Sequence, residues 1–132
     1  MIFVDASAMV AMLTDDAHGD TLADRLASDD QRFSSAIAVV EAAAAIMRKR
    51  AIGMAQARDL VDRFLAIAAV RLSPVAAAEC DAALSAFDQF GKGRHPASLN
   101  LGDCFAYASA KSLGAKLLFK SEGFLLTDIP AA

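Results

Sequence analysis

Short runs of three or four residues with strand character alternate along this chain with longer, alanine-rich stretches of helical length, and few folds accommodate that alternation. Ile2-Phe3-Val4 is a continuous apolar run closed by Asp5. Such a run reads as a strand covered on both faces, the situation of a parallel sheet. Arg32-Phe33-Ser34, Val70-Arg71-Leu72 and Lys116–Phe119 repeat the pattern more weakly. Helical stretches between them supply the crossovers that parallel strands require. The expectation is an α/β fold with a mostly parallel central sheet flanked by helices. No linker, repeat or low-complexity segment interrupts residues 1–132, which read as a single domain.

Helix limits follow from caps and breakers. Ser7–Leu13 is expected to be helical up to the break at Thr14-Asp15-Asp16, and a second amphipathic segment covers about His18–Ala27. Ser34 or Ser35 can cap a long helix through Arg50 that Gly53 ends, and another runs over about Ala55–Ala68. Ser73-Pro74 has the order of a cap and first-turn proline for a helix to about Phe90. The last helix spans Asp103–Leu113 with Gly114 as terminator, and the tail from Ser121 is turn with at most one short strand. Alanine, 31 residues of the chain, explains this helix content, since it loses no side-chain entropy on folding.

A net charge of −3 excludes a protein that coats nucleic acid by bulk charge, yet it is compatible with a nuclease whose metal site is built of carboxylates. Cys80 and Cys104 form no paired framework and read as small buried residues in a reducing compartment. The N-terminus lacks a basic leader and no apolar run reaches the ~20 residues of a membrane span, so a cytoplasmic protein is expected.

Three acids stand out. Asp5 ends the first strand, where ligands of parallel sheets bind, although an aspartate there also suits a helix cap. Glu41 is the only charge in the eleven residues Ala36–Ile46. A carboxylate in so apolar a helix calls for a metal or ion partner, unless it lies on a solvated stripe. Asp103 opens a helix directly after Gly102, which permits close approach, although helix starts favour acids in any case. If the three converge, an oxygen-only cluster suits Mg²⁺ or Mn²⁺ and phosphoester chemistry. His18 and His95 sit in polar contexts and are expected to be exposed; no zinc, Ser-His-Asp or glycine-loop pattern exists. Lys92 and Arg94, in the breaker-rich loop Gly91–Pro96, are the best candidates to touch the phosphates of a nucleic-acid substrate, although such a loop can equally be exposed and mobile; Arg48-Lys49-Arg50 reads as cations pairing with a helix C-terminus.

Val4-Asp5-Ala6-Ser7-Ala8, the helix carrying Glu41, Leu99–Ala108 with its Gly-Asp-Cys-Phe-Ala-Tyr-Ala core, and Leu117–Lys120 followed by Phe124 and Thr127-Asp128-Ile129 together resemble the VapC branch of the PIN-domain family. The resemblance covers essentially the whole chain. It implies a three-layer PIN-like domain and a Mg²⁺- or Mn²⁺-dependent endoribonuclease toxin in which Asp5, Glu41 and Asp103 hold the metal. It further implies that Ser7 orients a carboxylate or water, that RNA is the substrate with tRNA among the candidates, that the chain forms a homodimer, and that a VapB-like antitoxin restrains it. The family usually places a fourth acid immediately before the phenylalanine, but here the stretch is Lys120-Ser121-Glu122-Gly123-Phe124. Glu122 or Asp128 is the expected replacement for that charge. The alternative is a PIN-like module that binds RNA or protein without cutting.

Overall fold

The computed structural model describes all residues 1–132. Four short strands form one all-parallel sheet: β1 (Ile2–Val4), β2 (Arg32–Ser34), β3 (Arg71–Leu72) and β4 (Lys116–Leu118), in the spatial order β3-β2-β1-β4. β1 is central, with Phe3 opposite Phe33 on one side and Leu117 on the other. The alternation of side chains along these strands divides the interior in two. Ile2, Val4 and Leu118 point into one core, against helices α1 (Ala6–Leu13), α2 (Gly19–Ala27), α3 (Ala36–Arg50) and α4 (Met54–Ile67). Phe3 and Leu117 point into the other, against α5 (Ala77–Phe90), α6 (Leu101–Leu113), and Phe124 and Ile129 from the C-terminal segment. The result is the expected three-layer α/β architecture. No helix is long and apolar enough to cross a membrane.

Several local expectations are corrected. Ser73-Pro74 does not open α5; the Ser73 N–H and hydroxyl both donate to the Ser34 carbonyl, so these residues prolong the pairing of the β3 edge, and extended backbone suits the position before proline. α5 begins at Ala77, where the Glu79 carboxylate reaches back to the Ala76 N–H. α3 is ended by Ala51 in the left-handed conformation (φ 51°), and Gly53 is instead the N-cap of α4. α6 begins two residues early, at Leu101. The tail forms a 3-10 helix, Glu122–Leu126, and then a single parallel bridge between Ala131 and Leu117 in place of a strand. Cys104 is buried as expected but Cys80 is exposed, because it lies on the outer side of α5. His18 is exposed, whereas His95 packs edge-on against Phe90 and its Nδ1 accepts the Ala97 N–H.

Candidate active site

The strand order reverses at β1, between β2 and β4, and a cleft of about 690 Å³ opens beyond the carboxyl ends of β1 and β4. This is where parallel sheets bind ligands, because the crossovers splay there. Asp5, Glu41 and Asp103 all line it, together with Ser7, Asn100, Lys120 and Ser121.

Each acid is held by local structure. Asp5 follows β1, its N–H donating to the Leu118 carbonyl of β4, and its carboxylate caps α1 by accepting the Ser7 N–H at 2.9 Å. Both readings of Asp5 therefore hold at once: it caps a helix and lines the cleft. The Ser7 hydroxyl donates to the same carboxylate at 2.5 Å and accepts the N–H groups of Lys120 at 3.0 Å and Ser121 at 3.2 Å. Ser7 thus fastens the segment after β4 to the strand end that carries Asp5. Asp103 is the N3 residue of α6 in a reciprocal cap: its carboxylate accepts the Asn100 N–H at 3.0 Å while Asn100 Oδ1 accepts the Asp103 N–H at 2.8 Å. Glu41, one turn into α3, is half-buried and lies over Gly102; a Cβ built on Gly102 would overlap its carboxylate. Glycine at this position leaves the Glu41 carboxylate room to lie against the start of α6.

The electrostatics are those of an uncompensated cluster. Burial pushes the Asp5 carboxyl up to about 6, against the pull of its Ser7 bonds and with a further rise from Asp103. Burial, then the charges of Asp5 and Asp103, push Glu41 up to about 7. Asp103 is raised as well, by burial, against the pull of the Asn100 N–H. None of the ion pairs in the molecule involves these residues. No three acid, imidazole or thiol groups are drawn tightly enough together to enclose an ion. The donor set is nonetheless one that Mg²⁺ fits: oxygens only, anionic, reachable from an open cleft, for an ion that keeps several waters and uses few carboxylates. Buried Cys104 adds no thiolate, since burial first and Asp103 second hold its thiol up at about 11.

The other predicted site residues lie elsewhere. Glu122 is exposed and lines a separate cavity with His18, Arg25 and Leu125. Asp128 accepts the Tyr107 hydroxyl at 2.5 Å and pairs with Lys111 at 2.8 Å, which holds it below the usual carboxylate range. At Gly123, where the fourth acid was sought, a Cβ would overlap the Ala97 carbonyl, so no side chain fits without backbone movement. Lys92 and Arg94 are exposed but do not line the cleft; Arg94 pairs with Asp88 at 3.2 Å. The cleft also contains Asp16, Arg48, Lys49, Asn100, Lys120 and Ser121, which sequence reasoning did not place there. Asn100 has a signal, since an Asn three residues before an Asp reads as a reciprocal cap. Asp16 and Lys120 form an ion pair between residues 104 positions apart, for which no local pattern exists.

A parallel sheet between helix layers, with an acidic cleft at its switch point, defines the class of domain. A PIN-domain family model matches residues 2–128. Ribonuclease VapC of Mycolicibacterium smegmatis is 44% identical over 128 residues, 97% of each chain. Ribonuclease VapC30 of Mycobacterium tuberculosis is 43% identical over 126 residues, 96% of this chain and 94% of that one. A VapC ribonuclease of Rhizobium meliloti is 37% identical over 141 residues, 98% of this chain and 99% of its own. The crystal structure of Mycobacterium tuberculosis VapC20, a sarcin-ricin loop cleaving toxin, superposes on the whole chain and 98% of its own with a TM-score of 0.74 at 22% identity, a likeness of fold. The chain belongs to the PIN-domain family, in its VapC branch.

Proposed function

We propose that this chain is a Mg²⁺- or Mn²⁺-dependent endoribonuclease, the toxin of a pair in which a VapB-like antitoxin neutralises it, and that Asp5, Glu41 and Asp103 hold the metal. One observation carries the reading: three carboxylates share an open cleft, each with its pKa raised and none paired with a cation. A protein that keeps such a cluster folded has a use for it, and a divalent ion offsets its repulsion. The VapC relatives support RNA as substrate and the antitoxin as partner. The exposed Leu84 and Phe87 of α5 offer an apolar face for the expected homodimer.

A divalent ion, which Asp5, Glu41 and Asp103 would hold, would supply an acidified water near neutral pH and positive charge to offset that of the phosphodiester. Asp5 is held in one orientation by Ser7, which limits reorganisation on binding. Asp103 is held by its reciprocal cap with Asn100 and lines the cleft. Burial and the charges of Asp5 and Asp103 push Glu41 up to about 7, so of the three acids its charge is the most strongly opposed without an ion and would be the most relieved by a divalent cation.

The test is cleavage of a labelled single-stranded RNA by the purified protein. Cleavage is expected with Mg²⁺ or Mn²⁺, and EDTA should stop it. Cleavage by Asp103→Asn at the parent's rate would overturn the site, and cleavage in EDTA would overturn the metal. Tight binding without any cutting would favour the non-cleaving module. Growth arrest on expression, relieved by co-expressing an adjacent antitoxin frame, tests the toxin role.

A further inference from the structure

We infer that Arg48 and Lys49 form a phosphate-holding subsite of the same cleft, which positions an RNA chain along α3 with its scissile bond at the carboxylates. The inference rests on the ribonuclease reading and deepens it. Both side chains are exposed, stand in the last turn of α3 and line the cleft with the three acids. Neither has an ion-pair partner in the molecule. The only other cation lining the cleft, Lys120, is engaged by Asp16.

The helix dipole explains why cations are tolerated at this terminus, but it does not choose their face. The face is chosen by spacing. Arg48 and Lys49 lie seven and eight positions beyond Glu41, two helical turns along the same side of α3. Arg50 lies only on a neighbouring concavity, which Lys49 also borders, and does not line this cleft. Between Glu41 and the cations the cleft wall is Ala44 and Ala45, small enough to leave a smooth track. Seven residues of helix rise place the cations about 10 Å from Glu41. At that separation along the helix the cations stand to one side of the acids, where a neighbouring phosphate of the same polyanion would pass. A chain of net charge −3 with a bare acidic cluster must offset its own repulsion of RNA locally, and these are the cations free to do so.

The experiment measures binding of a labelled single-stranded RNA across a salt series with Mg²⁺ present. Asp103→Asn serves as the uncut reference, with Arg48→Gln/Lys49→Gln or Lys92→Gln/Arg94→Gln added to it. Each phosphate contact to a single strand contributes about 0.7 to the slope of log affinity against log salt. Removing two should lower the slope by about 1.4 and weaken binding about 25-fold at 0.1 M salt. The loop pair should leave the slope in place. In the cleaving background, Arg48→Gln/Lys49→Gln should raise KM by a similar factor and leave kcat within about twofold. An unchanged slope in a folded Arg48→Gln/Lys49→Gln protein, or loss of slope in the loop pair instead, overturns the subsite alone. RNA binding with the expected slope change but no cutting by the parent overturns the ribonuclease reading and leaves the subsite standing. Absence of RNA binding overturns both.

Discussion

Asp103 and Asp128 are the same residue type, placed near opposite ends of the C-terminal third of the chain, and their surroundings treat them in opposite ways. Asp103 shares a cleft with Asp5 and Glu41, no cation is bonded to it, and its carboxyl is raised. Asp128 has Lys111 and the Tyr107 hydroxyl on it, and its carboxyl is lowered. Asp16, at the rim of the cleft, belongs with Asp128: Lys120 first, then the His18 N–H, hold it down at about 2. A paired acid has its partner within the fold. An unpaired, half-buried one weakens the fold in return for something outside it, which is how a functional carboxylate differs from a structural one.

The sharpest way to break that comparison is to remove the cleft charges. Asp5→Asn, Glu41→Gln and Asp103→Asn should each lower RNA cleavage by more than the 10–100-fold typical of residues that merely support metal ligands. The same swaps should not unfold the protein. Glu41→Gln should stabilise the metal-free form at pH 7.5, since it deletes the charge that burial and two neighbouring acids oppose. After allowance for partial solvent exposure the gain is on the order of 1–2 kcal/mol. A thermal melt without divalent ions reads it as an upward shift of several degrees. A downward shift would mean that Glu41 has a structural partner after all.

A substitution at each of two glycines separates the cleft from the segment after β4. Gly123→Asp puts a side chain into the Ala97 carbonyl, and backbone yields poorly, so a loss of roughly 2–3 kcal/mol is expected with no gain in metal affinity. Gly102→Ala meets the mobile end of Glu41 instead, so the fold should tolerate it within a few degrees in Tm while cleavage falls about 10–100-fold. Melting and cleavage assays on both proteins decide this. If Gly123→Asp sharpened the response to Mn²⁺ without loss of stability, the missing acid would belong at that position.

The two groups of acids should also separate by pH. For Asp5 and Glu41 the folded pKa values, about 6 and about 7, lie above the unfolded ones, so between about pH 4 and 7 the folded state binds more protons than the unfolded state. Their contribution therefore becomes less favourable as pH rises through that window, and lowering the pH from 7.5 to 5.5 should stabilise the metal-free protein by about 1 kcal/mol. Asp16 and Asp128 run the other way: their folded pKa values are depressed, so their contribution is present above the unfolded value near 4 and is lost as pH falls below it. Excess Mg²⁺ should flatten the upper limb, because the ion replaces the protons. Melts at pH 4.5, 5.5, 6.5 and 7.5 with and without Mg²⁺ test the sign. A metal-free protein that steadily gains stability towards pH 7.5 would contradict the raised values.

What the sequence revealed, and what it hid, follows from the range of the interactions involved. Ile2-Phe3-Val4 and the helix around Glu41 were legible because burial on both faces writes itself into consecutive residues. Asp5, Glu41 and Asp103 were legible as candidates because each is a charge in an apolar setting. Their convergence came from the order of the sheet, which no local pattern carries. The start of α5 was misread because Ser73-Pro74 satisfies a cap rule locally, while its hydrogen bonds went to Ser34, 39 residues away. The cations of the cleft were hidden for a similar reason: the loop at Lys92 and Arg94 has the composition of a phosphate contact, whereas only the fold shows that Arg48 and Lys49 line the cleft and that the loop does not.

The smallest expected effects belong to the two acids proposed as substitutes for the fourth. Asp128→Asn keeps an oxygen for the Tyr107 hydroxyl and loses an exposed pair with Lys111, an interaction of about 0.2–1 kcal/mol, so Tm should move by no more than a few degrees. Its effect on cleavage should be nil, since Asp128 does not line the cleft. Glu122→Gln should change neither, because Glu122 is exposed on a different cavity and separated from the cleft by its own position on the 3-10 helix. The decisive measurement is cleavage rate against Mn²⁺ concentration for the parent and both variants. Superimposable curves mean that three carboxylates suffice, with water filling the rest of the ion's shell, as Mg²⁺ tolerates. A higher Mn²⁺ requirement for Glu122→Gln would mean that the segment after β4 swings inward when metal binds, and would move Glu122 from the structural acids to the functional ones.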